Sequence, residues 1–118
     1  MFLEKLENAV GSITGCEAAI LMGFDGIPVD SFEANKEVDI ETVGMEFSVV
    51  LKEVRKAAEL LEAGDAEELT VRTEKMSTIL RVVNGEYFVA MLLSPGGNVG
   101  KAKYVLRILA PDMGKELV

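Results

Sequence analysis

The apolar residues of this chain change their spacing near Gly64, and this change limits the possible folds more than any other feature. From Ile40 to about Ala63 they recur every three and four residues, which predicts a helix of about six to seven turns. From Glu67 to Glu74 they alternate with polar residues, which predicts a strand with one buried face. The chain therefore combines a long helix with a sheet.

The predicted long helix has a signal at each end and one apolar stripe. Asp39 is placed to cap its start, and Gly64 is placed to cap its end. The stripe expected to pack on the sheet consists of Ile40, Val43, Phe47, Val50, Val54, Ala57 and Leu61. Pointing away from it are Met45, Val49, Lys52 and Lys56. Gly44 and Ser48 are expected on a flank, where small side chains would let another helix come close.

The outward-facing set on this helix has two interpretations. Met45 and Val49 fit a surface that faces a partner, with Lys52 and Lys56 beside them. They fit equally well the scatter of apolar groups that is normal on protein surfaces.

Two dipeptides between apolar runs predict hairpins. Asn84-Gly85 separates STILRVVN from EYFVAMLLS, a strong short-range hairpin signal. Asp25-Gly26 follows CEAAILMG and predicts a two-residue turn of type I′. The returning strand, residues 27–32, contains Pro28, which cannot donate to a ladder hydrogen bond. This strand should therefore lie at an edge of the sheet.

Helices are also predicted at both ends of the chain. Residues 2–11 show helical spacing that stops near Gly11. Asn98 can cap a last helix, which Pro111 is expected to end. The apolar face of this helix consists of Val99, Ala102, Val105, Leu106 and Leu109. The order is helix, two strands, helix, three strands, helix, which predicts antiparallel strand pairs in a single domain over residues 1–118.

Composition and charge narrow the classes of partner. The formal net charge is −8, from 20 acidic and 12 basic side chains, and the basic residues form no stripe. Such a chain would repel phosphate backbones and anionic membranes, so neither nucleic acid binding nor membrane insertion is expected. Residues 1–5 start an amphipathic pattern rather than a signal peptide, which favours the cytoplasm. The single cysteine, Cys16, cannot form an internal disulfide and is expected to have a packing role.

No catalytic, cofactor or metal site is predicted. The chain has no histidine, which removes the commonest general base and metal ligand. The segment GGNVGKA precedes a helix but fails as a P-loop, because Pro95 replaces the first glycine and Ala102 the magnesium-binding hydroxyl. Glu67-Glu68 and the pair Asp112 and Glu116 have no partner base or nucleophile, so a solvated surface is expected there.

Taken together, these features resemble the roadblock family of dynein light chains and bacterial gliding-motility regulators, particularly its MglB-type branch. The GFDGIPV hairpin follows a short N-terminal helix, and the long helix comes next. The hairpin at residues 84–87 and the final helix that starts at GGN complete the resemblance, which covers nearly the whole chain. Asp25-Gly26-Ile27-Pro28-Val29 is the most specific motif.

The resemblance implies both a fold and a function. The fold is α+β, with a five-stranded antiparallel sheet that carries the long helix on one face and the N- and C-terminal helices on the other. Profilin-like and PAS-like domains share this architecture. The implied function is that of a cytoplasmic homodimer that regulates a Ras-like, MglA-like small GTPase, either by binding it or by stimulating GTP hydrolysis. The chain itself would not be an enzyme.

The residues indicate how two copies would associate. The strand at residues 67–74 contains no proline, so its free edge can pair with a second copy. An antiparallel pair centred on Thr70 would set Arg72 against Glu68 of the other copy, whereas a pair centred on Val71 would oppose Glu68 and Glu74. The expected interface therefore includes Glu68, Thr70 and Arg72 together with the neighbouring long helix.

Two alternatives to a GTPase activator stay open. A scaffold subunit would bind the GTPase without changing its rate, and a PAS-like sensor would bind a small molecule between sheet and helix. An arginine finger requires an exposed, mobile arginine. The arginines considered for that role are Arg55, Arg72, Arg81 and Arg107, all in predicted helices or strands. Activation is therefore expected to act by repositioning the GTPase's own groups.

Overall fold

Five antiparallel strands form one sheet in the order β2-β1-β5-β4-β3, and three helices cover its faces. This computed structural model describes residues 1–117. The elements are α1 (Leu3–Gly11), β1 (Cys16–Gly23), β2 (Pro28–Glu33), α2 (Ile40–Leu60), β3 (Glu68–Arg72), β4 (Ser77–Val82), β5 (Tyr87–Leu93) and α3 (Val99–Gly114). The predicted α+β fold and its element order are confirmed, and β2 and β3 are the two edges as expected.

The two faces of the sheet support separate hydrophobic clusters. Ile20 and Met22 of β1 pack on the side of α2, whereas Ala19 and Leu21 pack on the side of α1 and α3. This alternation is the two-residue period of a strand that is buried on both faces. The predicted placement of the long helix opposite the two terminal helices is therefore confirmed.

The rotation of α2 about its axis differs from the sequence prediction. Gly44 and Ser48 were expected on a flank, but both are buried against the sheet. An added Cβ at Gly44 would lie 3.3 Å from Cγ2 of Ile20, which shows how closely the helix approaches β1. The predicted packing stripe is consequently wrong in part, since some of its members are exposed. These are Val50, Ala57 and Leu61.

The two ends of α2 gave one correct and one wrong prediction. The carboxylate of Asp39 accepts the backbone N–H of Thr42 at 3.2 Å, which confirms the cap. The helix ends at Leu60, before the expected end. Glu62 takes the left-handed position that follows this end, with φ 53°, and Gly64 also has a positive φ, 86°. The N–H of Ala63 bonds to the carbonyl of Ala58 at 2.9 Å, which closes a Schellman motif.

The connection between β1 and β2 is a hairpin, but the predicted type I′ turn is wrong. A type I′ turn needs positive φ at both central residues, and Gly26 has φ 87° whereas Asp25 does not have a positive φ. The connection instead has three residues, 24–26. The N–H of Gly26 bonds to the carbonyl of Gly23 at 2.9 Å, and the carboxylate of Asp25 accepts the N–H of Ile27 at 3.0 Å.

The last helix begins as predicted and continues further than predicted. Asn98 accepts the N–H of Lys101 at 3.0 Å, as expected for its cap. Pro111 does not end α3, which runs to Gly114. A proline this close to a helix end removes one hydrogen bond, and burial of Ala110 and Met113 against the sheet holds the following turn.

Candidate interaction surfaces

The outer edge of β3 has backbone groups that are free to pair with another strand. The N–H of Thr73 bonds to the carbonyl of Met76, and the N–H of Val82 bonds to that of Glu67. Because hydrogen-bonded positions alternate along an antiparallel pair, the odd-numbered residues of β3 bond to β4. The backbone N–H and C=O groups of Glu68, Thr70 and Arg72 therefore point outward.

The opposite edge, β2, is partly closed to such pairing. Pro28 has no N–H to offer. The ladder with β1 leaves the N–H of Ser31 pointing outward, but the carboxylate of Asp30 accepts it at 3.0 Å. Both features are known ways of protecting an edge strand. Of the two edges, β3 is therefore the one better suited to pairing with another chain.

One flank of α2 is apolar and belongs to the face of the sheet on which Leu69 of β3 also packs. At about 100° per residue, Val43, Val54 and the exposed residues Val50, Ala57 and Leu61 share one flank. Val43 and Val54 pack against the same cluster as Leu69 of β3 and Met76. Leu61 is 76% exposed and Val50 is 41% exposed, so much of this flank is uncovered.

The helical residues predicted to face a partner are exposed on the other flank of α2. Met45 is 52% exposed and Val49 is 55% exposed. Lys52 and Lys56 are exposed beside them, and Lys56 forms an ion pair with Glu53 at 3.2 Å. On β2, a strand that α2 contacts, Val29 is also exposed.

The predicted interface residues of β3 direct their side chains to the opposite face of the sheet. The carboxylate of Glu68 lies 3.9 Å from both Arg81 and Lys103, on the side of α3, and Thr70 and Arg72 share this orientation. The structure therefore does not bring these three side chains together with the four helical residues. Their backbone groups lie on the outer edge of β3, and the side chain of Leu69 in that strand packs in the same cluster as Val43 and Val54 of the apolar flank.

Sequence reasoning missed the apolar flank as an exposed surface. Val50, Ala57 and Leu61 were assigned to the packing stripe because apolar spacing alone does not show which side of a helix approaches the sheet. The available signal was the pair Gly44 and Ser48, whose spacing of four and small size permit close approach to a sheet.

Arg55, one of the arginines considered above, is held in place by two contacts. Its guanidinium carbon lies 4.0 Å from the centre of the Phe24 ring, and the group donates to the carbonyl of Gly85 at 3.3 Å. Arg72 is exposed at the edge of the sheet, Arg81 lies in β4 and Arg107 in α3. The expected placement of all four in helices and strands is confirmed.

The cysteine has an environment that suppresses its chemistry. Cys16 is partly buried at the start of β1, and burial raises the pKa of its thiol to about 11. A thiol with this pKa is almost entirely protonated at neutral pH, which makes it a poor nucleophile.

A cleft of about 670 Å³ lies between the end of α2 and the β4–β5 connection, with Glu59, Glu62 and Arg81 among its lining residues. Within residues 1–117, no group of carboxylates and cysteine is arranged to hold a metal ion. In the same range, none of the helices combines the length and apolar character needed to cross a membrane.

Solved structures similar to this chain share its topology. The crystal structure of MglC from Myxococcus xanthus is 39% identical in sequence, covers 98% of both chains and has a TM-score of 0.70. A roadblock/LC7 domain from Streptomyces avermitilis is 14% identical, covers 95% of this chain and 93% of its own, and has a TM-score of 0.84. MglB with a tetrameric arrangement is 18% identical, covers 95% and 84%, and also has a TM-score of 0.84.

These similarities differ in what they support. The last two structures support the fold alone, because their identity is low. The similarity to MglC extends over nearly the full length of both chains at a higher identity. No family model matches the chain, and no curated protein does so.

Proposed function

The chain belongs to the roadblock family, with MglB-like and MglC-like proteins as its relatives, and we propose that it is a homodimeric regulator of a Ras-like small GTPase. One observation carries the proposal. The outer edge of β3 has unpaired backbone groups, one flank of α2 is apolar and uncovered, and Leu69 of β3 packs in the same cluster as Val43 and Val54 of that flank. A surface of this kind is typical of proteins that assemble with a second chain.

The proposed dimer joins the β3 strands of two copies about a two-fold axis at Thr70. In this register the outward backbone groups of Glu68 and Arg72 pair with those of Arg72 and Glu68 of the second copy. Opposite charges then face each other across the axis. The apolar flanks of the two α2 helices come together on one face of the joined sheet, which buries Val50 and Leu61.

The proposed GTPase surface is the other flank of α2. Met45 and Val49 supply exposed apolar contacts, and Lys52 and Lys56 supply positive charge. This flank stays free in the proposed dimer because the dimer uses the apolar flank of α2. Each dimer would therefore offer two such surfaces.

The regulator would act on the GTPase without inserting an arginine. Arg55 contacts the ring of Phe24 and donates to the carbonyl of Gly85. Arg72 lies in the proposed dimer interface, two residues from the axis. Stimulation would then come from repositioning the GTPase's own catalytic groups. Arg55→Ala and Arg72→Ala are therefore expected to leave the stimulated rate of GTP hydrolysis nearly unchanged where dimer formation is intact.

The dimer is tested by light scattering after gel filtration at micromolar concentration. The wild-type chain should have the mass of two copies. Thr70→Pro removes an outward N–H at the centre of the pairing and should give a monomer. Thr70→Val keeps this N–H and should stay dimeric. A monomeric wild type, or a Thr70→Pro protein that is as dimeric as Thr70→Val, would refute the proposed interface.

The proposed interaction with a GTPase is tested with a Ras-like protein captured from the source cell. Binding should weaken with Val49→Asp and with Lys52→Glu, whereas Lys75→Glu makes the same charge change in the β3–β4 turn and should leave binding unchanged. GTP turnover is then measured with and without the chain. Unchanged turnover of a bound GTPase identifies a scaffold, and failure of every Ras-like candidate to bind refutes the GTPase proposal.

A further inference from the structure

A groove lies between α1 and α3, on the face of the sheet opposite α2. Its volume is about 620 Å³. The floor is apolar and consists of Ala9, Val105 and Leu109, whereas Lys5 and Asn8 form one wall and Tyr104 and Ile108 contribute to the other. Neither the proposed dimer edge nor the proposed GTPase surface uses any of these residues.

The α3 wall of the groove exposes two large apolar side chains. Tyr104 is 58% exposed and Ile108 is 56% exposed, and they lie one helical turn apart. Single exposed apolar residues are common on protein surfaces. Here the two are continuous with the partly buried Val105 and Leu109, which pack on the core below. The result is a contiguous apolar strip along the groove.

The charge of this wall is opposite to that of the protein. α3 carries Lys101, Lys103 and Arg107 against the single carboxylate Asp112, in a chain with 12 basic and 20 acidic residues. Asp112 and Glu116 share one cation, Lys5, whose ammonium lies 2.9 Å from Asp112 and 2.6 Å from Glu116, so these three side chains together keep one negative charge. α3 is therefore a positively charged element in an acidic protein.

Two lysines lie beyond the two ends of the apolar strip. Spacings of three, four and seven residues place four side chains along one side of α3, namely Lys101, Tyr104, Ile108 and Lys115. Within residues 1–117, neither Lys101 nor Lys115 has a carboxylate within ion-pair distance. The strip therefore has a lysine without an ion-pair partner beyond each end.

We infer that the α1–α3 groove binds an amphipathic helix of a partner protein, one with carboxylates beyond both ends of its apolar stripe. The length of chain along α3 from Lys101 to Lys115 is about 21 Å, at about 1.5 Å per residue, which matches a helix of about four turns. Such a helix would place residues at i, i+3, i+4 and i+7 on Tyr104 and Ile108. Its carboxylates would meet the lysines, which steers association and fixes orientation.

Two other occupants fit this surface less well. A second copy of the chain would bring one cationic α3 against another, and like charges would oppose contact. An anionic membrane would meet these few lysines on a protein whose formal net charge is −8, which opposes approach of the rest of the surface. The inference does not rest on the proposed GTPase function, because the groove and α2 lie on opposite faces of the sheet.

The test uses two synthetic amphipathic peptides of 15 residues that share the same leucine stripe. One has glutamates beyond both ends of the stripe, and the other has lysines in their place. Fluorescence anisotropy with the full chain should show at least tenfold tighter binding of the glutamate peptide, and its affinity should fall as salt increases. Backbone NMR shifts on binding should be confined to α1 and α3.

Variants then assign the binding to this groove. Ile108→Asp and the double variant Lys101→Glu with Lys115→Glu should each weaken binding of the glutamate peptide about tenfold. Val49→Asp introduces the same kind of change on α2 and should leave it unchanged. Circular dichroism checks that each variant is folded. Conversely, Ile108→Asp should keep its GTPase affinity, which separates failure of this inference from failure of the proposed function.

Three results would overturn the inference. The first is equal binding of the two peptides, and the second is NMR shifts that map to α2 or β3. The third is capture of the wild-type chain by phosphatidylserine vesicles that is lost in Ile108→Asp, which would identify a membrane as the occupant.

Discussion

The guanidinium carbon of Arg55 lies 4.0 Å from the centre of the Phe24 ring, so a cation of α2 rests on the β1–β2 connection. The same side chain donates to the carbonyl of Gly85 in the β4–β5 connection. Phe24 packs in turn against Phe88 of β5, with ring centres 5.2 Å apart. One arginine therefore ties the C-terminal half of α2 to both turns at that end of the sheet.

Arg55→Ala should lower the free energy of unfolding by about 1 kcal/mol, because it removes a cation–π contact and a hydrogen bond. Urea unfolding followed by circular dichroism measures this. Arg107→Ala, at an exposed site on α3, is the matched control and should stay within about 0.5 kcal/mol of the wild type. Equal effects of the two variants would show that the Arg55 contacts contribute nothing.

Glu62→Gly should stabilise the protein by about 0.5 kcal/mol. Glu62 has φ 53°, and a left-handed conformation costs an ordinary residue about 1 to 2 kcal/mol. Part of that gain is lost to the greater freedom of glycine in the unfolded chain. Glu59→Gly is the control, because Glu59 lies within α2 and the change there should destabilise by about 1 kcal/mol. Two variants that shift stability in the same direction would contradict the assignment of the cap.

Lys5 should contribute stability that depends on pH at both extremes. Its contacts with Glu116 and Asp112 raise the pKa of the ammonium above 10.5, and Lys5 lowers the pKa of Asp112 below 3.8. The stabilisation that comes from the raised pKa of Lys5 is complete below pH 10.5 and is lost as pH rises through the pKa of Lys5 in the folded protein. The stabilisation that comes from the lowered pKa of Asp112 is complete above pH 3.8 and is lost as pH falls through the pKa of Asp112 in the folded protein.

The matching experiment is urea unfolding of the wild type and Lys5→Met across this range. The difference in unfolding free energy should be constant at intermediate pH and should shrink above pH 10.5 and below pH 3.8. It should also shrink in high salt, because the groups are exposed. A difference that stays the same at every pH would assign the effect of Lys5 to packing of its hydrocarbon stem.

Cys16 should react slowly with iodoacetamide in the folded protein. Burial raises its pKa from 9.0 to about 11, so the thiolate is about one hundredfold rarer at pH 8 than in an ordinary cysteine. Mass spectrometry after timed labelling measures the rate. Labelling in concentrated urea supplies the control and should restore the ordinary rate. Equal rates in the folded and unfolded chains would show that the thiol is accessible.

The parts of the fold that depend on neighbouring residues were predictable. The caps at Asp39 and Asn98 each accept a hydrogen bond from an N–H three residues ahead, so residue type and spacing suffice. Pro28 and the alternation around Thr70 likewise identified the two edge strands, because proline cannot serve in a central strand. The residue types at Asp25-Gly26 did not predict the turn correctly. The carboxylate of Asp25 accepts the N–H of Ile27, and the connection has three residues rather than two.

The candidate surface was predictable only in outline. Exposure of Met45 and Val49 followed from their angle on the helix, and the structure agrees. The exposed flank with Val50 and Leu61 was missed, because the most apolar side of α2 is not the side that packs on the sheet. Apolar spacing measures which residues avoid water, and it does not distinguish burial within one chain from burial between two.

The amino-acid sequence by itself determined the order of the elements, the caps and which strand edge stays open, because each of these depends on a few adjacent residues. Only the tertiary structure decided how α2 is rotated on the sheet. Gly44 lets the helix backbone approach Ile20 and Met22, and this close contact leaves Val50 and Leu61 of the apolar flank exposed. That rotation results from the fit between two distant surfaces, and periodicity along one of them does not contain it.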